Sequence, residues 1–132
     1  MILTHEILHL LFFNNLQKRF PTNMISTPEV LRIGREHFGC NTYRGIEFER
    51  TREGKFMSNH IEELHYSSET ISPDGGPNIS KLTLAAMQDS GNYRGNYNKA
   101  SLFKYGFKQG CEFLETTTCD SIKYPQYFCQ ED

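Results

Sequence analysis

The sequence predicts an α+β chain in which helix predominates. The opening stretch, Ile2 to Arg19, contains no proline or glycine and is rich in leucine and phenylalanine; two later segments carry paired helix start and stop residues; and Ile46 and Phe48 sit among charged residues and glycines. At 132 residues the chain has room for a single core, because domains commonly run to roughly 100–200 residues. A hydrophobic share of 37% is enough to build that core and argues against wholesale disorder.

The first helix runs from Ile2 to about Arg19, with a polar break at Asn14 and Asn15. Its apolar residues (Leu3, Ile7, Leu8, Leu10, Leu11, Phe12, Phe13, Leu16) lie all round the circumference, which predicts burial on most sides. The second helix begins at Thr27-Pro28-Glu29: threonine caps free amides, proline fits the first position and glutamate suits the positive end of the dipole. Gly39 ends it. Between Asn41 and Lys55 the chain makes a short extended excursion or a surface loop, and Ser72 to Pro77 is a turn too rich in breakers for regular structure. Ser80 caps a third helix bearing Leu82, Leu84, Ala85, Ala86 and Met87, with Gly91 as its left-handed stop. From Asn92 onward, aromatic residues and glycines without a sustained period predict irregular, well-packed coil tied down by cysteines.

Fourteen basic against sixteen acidic residues give a net charge of −2 and no basic field to recruit nucleic acid or anionic lipid. The longest apolar run, Leu10 to Phe13, falls far short of the roughly 18 residues of a membrane span, and no cationic segment leads into an apolar one after Met1. Cys40, Cys111, Cys119 and Cys129 lack the close C-x-x-C spacing of zinc ribbons and thioredoxin sites, so disulfides in an oxidising compartment are the better reading, beside buried free thiols. With no export signal in view, either the disulfide reading fails or the true amino terminus lies upstream of Met1 and the chain is a fragment.

His5-Glu6-Ile7-Leu8-His9 is an H-E-x-x-H motif on the first helix. Positions four apart stack on one helical face, so both imidazoles can reach a single zinc ion with Glu6 beside it. Zinc held by neutral histidines brings its water to a pKa of roughly 7, and a neighbouring carboxylate can take the proton as water attacks a peptide carbonyl. The alternative is a buried helix whose histidines are satisfied by backbone. A third ligand must come from His37, His60 or His65. His37, near the end of the second helix, suits a structural imidazolium at the dipole. Spacing alone favours His60 slightly over His65.

Four further blocks resemble the leishmanolysin family of metzincin-type cell-surface zinc endopeptidases: Thr27 to Cys40, Ser58-Asn59-His60-Ile61-Glu62, Lys81 to Gly91, and Gly110-Cys111-Glu112-Phe113. With H-E-x-x-H they extend over nearly the whole chain. The resemblance implies that His5, His9 and His60 bind one zinc ion, that Glu6 activates the water, that residues 10–59 are an insertion before the third ligand, and that His65 is a bystander. It also pairs Cys40 with Cys111 in a disulfide and makes Cys119 and Cys129 the opening of a cysteine-rich domain, dividing the chain into 1–116 and 117–132.

Three positions depart from that pattern. Phe12 stands where metzincins turn at glycine, a turn that Asn14 or Asn15 tolerates better. Ile71 stands at the methionine of the turn beneath the metal, and Ile61 where tryptophan is usual. The amino-terminal sheet that walls the family's cleft is missing, so the chain resembles the carboxyl-terminal subdomain of a zincin. The expected function is therefore a zinc metalloendopeptidase, incomplete in this chain, acting on protein or peptide substrates at a cell surface or outside cells, with a role in cell adhesion and membrane association by resemblance only. The alternative is a catalytically silent adhesion or binding module.

Overall fold

A three-stranded antiparallel sheet, flanked by helices, holds the middle of the chain together. The computed structural model describes residues 2–129; Met1 and 130–132, which belong to the ends of the two domain spans, lie outside the described residues. Helices and a small sheet together bear out the α+β reading.

Helix α1 covers Ile2–Leu11 and the short α2 covers Leu16–Arg19. They part where the polar break is expected. Asn15 takes the left-handed conformation (φ 47°, ψ 37°), which its short polar side chain accepts more readily than an apolar one. One expectation fails here: α1 buries only Leu8, while Ile2, Leu3 and Leu10 are more than 70% exposed. Apolar residues on every face make a helix capable of burial all round, but the described residues cover a single face of it.

The strands are β1 (Met24–Ile25), β2 (Ile46–Arg50) and β3 (Phe56–Ile61), in the order β1-β2-β3. Ile25 pairs with Ile46, and Phe48 with Ile61. The excursion after Asn41 is therefore an inner strand whose alternate residues, Ile46 and Phe48, enter the core. Past Phe48 the register shifts, so that Arg50 faces Phe56.

Helix α3 (Pro28–Phe38) packs against α5 (Lys81–Asp89). Gly39 ends α3 in the left-handed conformation, as expected. Thr27 occupies the cap position, yet its buried hydroxyl has no partner among the described residues. Asp89 Oδ2 caps α3 instead, accepting from the amides of Glu29 and Val30 at 3.0 and 3.1 Å. Ser80 Oγ accepts from the Leu82 amide at 3.1 Å and starts α5; Gly91, at φ 83°, follows its end.

Between β3 and α5 lie the short α4 (Glu63–Tyr66) and the breaker-rich turn. Gly76 crosses Ser68 so closely that a Cβ would come within 2.3 Å of its backbone, which explains glycine there. Beyond Asn92 the described residues are irregular apart from a 3-10 turn at Tyr97–Lys99 and the short α6 (Cys111–Leu114). A disulfide joins Cys40 to Cys111. Phe38, Tyr66 and Phe113 are fully buried around that link, and Tyr124 packs edge-on to Phe113 at 5.3 Å.

Candidate metal centre

Helix α1 carries His5 and His9 on one face, with ring centroids 4.6 Å apart. The third imidazole arrives from β3: His60 lies 5.1 Å from the His5 ring and 5.0 Å from that of His9. The Nε2 atoms of His5 and His9 are 2.9 Å apart, and those of His5 and His60 are 3.1 Å apart. Tetrahedral zinc with nitrogen ligands at about 2.0–2.1 Å would separate those nitrogens by roughly 3.3 Å, so the cluster is close to the size of such a site.

The other ring nitrogens decide the tautomers. His5 Nδ1 donates to the Thr70 carbonyl at 2.5 Å, His9 Nδ1 to the Phe13 carbonyl at 2.6 Å, and His60 Nδ1 to Glu49 Oε2 at 2.9 Å. A neutral imidazole protonated at Nδ1 presents a lone pair at Nε2. Three such lone pairs therefore point at one another, an arrangement that repels itself and is relieved by a cation at its centre. Burial lowers the His60 pKa, opposed by the Glu49 carboxylate and assisted by the neighbouring imidazoles, which favours the neutral form a metal needs. Among the described residues His5, His9 and His60 are the group that could hold a metal ion.

Comparison with known proteins adds the family. The family model described as leishmanolysin matches residues 3–132. The chain belongs to the leishmanolysin family. It is 31% identical to a leishmanolysin homolog of Crithidia fasciculata, the match covering 98% of this chain and 22% of that protein. To a leishmanolysin-like peptidase of Drosophila melanogaster it is 37% identical over 77% of this chain and 15% of the relative. To a leishmanolysin of Leishmania chagasi it is 28% identical over 99% and 25%. The chain spans a quarter or less of the length of these relatives. Leishmanolysins are metalloendopeptidases, zinc-dependent in general.

Around this leishmanolysin cluster the other residues named from sequence take distinct places. Glu6 lies beside His5 on α1 with its side chain exposed. Ile71 is fully buried, next to the residue whose carbonyl holds His5, so this segment passes against His5. Phe12 is buried with its amide bonded to the Leu8 carbonyl at 3.0 Å, and the left-handed turn falls at Asn15, three residues later than in the metzincin pattern. His65 stays out of the cluster and donates to the Thr116 carbonyl at 3.0 Å. His37 also stays out of the cluster, and its setting disfavours the imidazolium expected there. Burial lowers its pKa, its Nε2 meets the Tyr105 carbonyl at 2.8 Å, and its ring stacks on Phe103.

The partners of the three Nδ1 atoms are the part that sequence reading missed. Two are backbone carbonyls, which leave no signature in side-chain identity. Glu49 does leave one: alternation along Ile46 and Phe48 turns Glu47 and Glu49 to the opposite face of the strand.

Proposed function

We propose that this chain is the zinc-binding, carboxyl-terminal part of a leishmanolysin-type metalloendopeptidase catalytic domain, with His5, His9 and His60 as the ligands. The observation that carries the reading is the convergence of three Nε2 lone pairs whose partner nitrogens are each committed to an acceptor. Bound zinc supplies Lewis acidity that makes water a competent nucleophile near neutral pH. The protein's own groups do the rest. The Thr70 and Phe13 carbonyls hold the α1 imidazoles in the ligating tautomer. Glu6, exposed beside His5, accepts the proton of the water that attacks a peptide carbonyl and returns it to the leaving amine.

Substrates on this reading are proteins or peptides, met outside cells or at a cell surface. An adhesive role and any membrane association would belong to the longer protein; among the described residues no helix is long and apolar enough to cross a membrane. On this reading 1–116 is the metal-binding unit and 117–132 opens a cysteine-rich segment, in which Cys119 and Cys129 are exposed and free.

The test joins metal analysis to turnover. The purified chain is expected to carry about one zinc ion, and zinc-dependent cleavage of denatured casein, once the rest of the catalytic domain is supplied, is expected to disappear in Glu6→Ala. Absence of zinc uptake overturns the reading. Zinc uptake with cleavage indifferent to Glu6 removes the catalytic role and leaves a metal-binding adhesion module.

A further inference from the structure

Among the described residues, His60 is the one imidazole of the cluster whose Nδ1 is held by a side chain. His5 and His9 lean on backbone carbonyls that the fold fixes once α1 and the turn are formed. His60 comes from a strand 51 residues beyond His9, and its Nδ1 meets the Glu49 carboxylate at 2.9 Å. We propose that Glu49 is the positioning residue of the centre: it locks the His60 ring with Nε2 toward His5 and His9 and, as an anion, makes that histidine a stronger metal ligand. The inference rests on the metal-site reading above and adds a residue that the motifs do not contain.

The hairpin explains why Glu49 can do this. Phe48 pairs with Ile61 and both enter the core, so the next residue of β2 and the preceding residue of β3 turn to the opposite face together. Those residues are Glu49 and His60. The neighbours of Glu49 on either side are anchored: the Phe48 amide donates to the Asn23 carbonyl at 3.1 Å, and the Arg50 amide to Glu62 Oε2 at 3.1 Å. The register shift falls between Phe48 and Arg50, at Glu49 itself, so the carboxylate stands at the irregularity of the hairpin, a place where strands commonly re-aim a side chain. Both side chains are about one quarter exposed, at 25% and 27%. Water therefore competes only partly for the carboxylate, and a charge-assisted hydrogen bond is stronger than a neutral one.

Carboxylate partners of ligating histidines fix tautomer and orientation and raise ligand basicity, and losing one commonly weakens metal binding about 10- to 100-fold. The test uses the full chain, zinc itself and a chromophoric chelator as competitor, near neutral pH. Glu49→Ala is expected to weaken zinc binding about 10- to 100-fold; Glu49→Gln, which keeps a neutral acceptor, is expected to fall between Ala and wild type. A second readout needs no metal. Nitrogen-15 spectra of the histidine rings should show His60 protonated at Nδ1 in the wild type and a mixture of tautomers in Glu49→Ala, while His5 and His9 are unmoved. Wild-type zinc affinity together with an unchanged His60 tautomer in Glu49→Ala overturns the positioning role and leaves the metal site standing. A wild-type chain that takes up no zinc overturns the metal-site reading itself. Should Glu49→Ala melt early when metal-free, the near-isosteric Gln variant decides by the same two measurements.

Discussion

Thr83 Oγ1 donates to Glu69 Oε2 at 3.0 Å, joining a fully buried carboxyl, next in sequence to the Thr70 carbonyl that holds His5, to helix α5. The Ser80 amide reaches the same oxygen at 3.4 Å, while Oε1 has no partner among the described residues. Burial pushes the carboxyl up to a pKa of about 7 from an ordinary 4.5, against the hydrogen bonds from Ser80 and Thr83. The folded chain thus holds a proton there that the unfolded chain releases near 4.5. Its contribution to stability is fully present below that value and is lost as pH rises through about 7. His37, His60 and His65, lowered by burial, act in the opposite sense: they favour the folded state above their ordinary value and cost stability as pH falls. The decisive quantity is therefore the difference between wild type and Glu69→Gln. Thermal melts should show wild type losing stability relative to the Gln variant between about pH 5 and pH 7. Glu69→Ala strips partners from buried donors and should cost at least about 2 kcal/mol.

The cap of α3 supplies a second prediction. Asp89, at the end of α5, accepts from two orphan amides at the start of α3, while the Thr27 hydroxyl at the cap position has no partner among the described residues. Asp89→Ala should cost about 1 kcal/mol in chemical denaturation, the usual worth of an N-terminal cap. Thr27→Val, which removes a buried unpaired hydroxyl at nearly constant volume, should be neutral or slightly stabilising. If the two variants exchange these effects, the cap belongs to Thr27 after all.

The disulfide closes a long loop, with Cys40 and Cys111 separated by 71 positions. Restricting the unfolded chain over such a distance is worth about 4 kcal/mol on the loop-entropy account. Replacing both cysteines by serine should lower stability by that order, and the loss should appear in denaturant midpoints under non-reducing conditions. An equal response of the double variant and wild type to added reductant would contradict the prediction, since only wild type has this link to lose.

These three devices differ in how visible they are in the sequence. Ser80 as a cap, Gly39 and Gly91 as stops, and the facing of His5 and His9 depend on neighbours within one or two helical turns, where residue type and spacing carry the information. The pairing of Cys40 with Cys111, and the choice of His60 over His65, were legible through family likeness, because spacing leaves both open. Strand β3 was not legible: Phe56 to Ile61 shows no clean alternation, and it is a strand because β2 pairs with it. The same holds for Asp89 at the start of α3 and Glu49 behind His60, whose roles come from contacts 60 and 11 positions away in the chain. The exposed face of α1 reflects the limit of periodicity, which reports what a helix can bury and is silent on what covers it.

The turn after α1 yields the last prediction. In the metzincin pattern glycine stands three residues after the second histidine; here Phe12 occupies that position, 2% exposed, its ring edge-on to Phe13 at 4.9 Å and under the Arg19 guanidinium at 4.3 Å. The left-handed residue is Asn15. Restoring the family's glycine at Phe12 should therefore harm the protein: Phe12→Gly removes a buried aromatic ring and should cost about 3–5 kcal/mol. Asn15→Gly should be nearly neutral, whereas Asn15→Val, forcing a branched side chain into the left-handed region, should cost about 1–2 kcal/mol. Phe13, whose carbonyl holds His9, lies between these two positions. Asn15→Val should consequently weaken zinc binding as well as stability, a coupling that chelator competition can detect at temperatures where the variant is still folded. A Phe12→Gly variant as stable as wild type would show that the turn has moved back to the metzincin position.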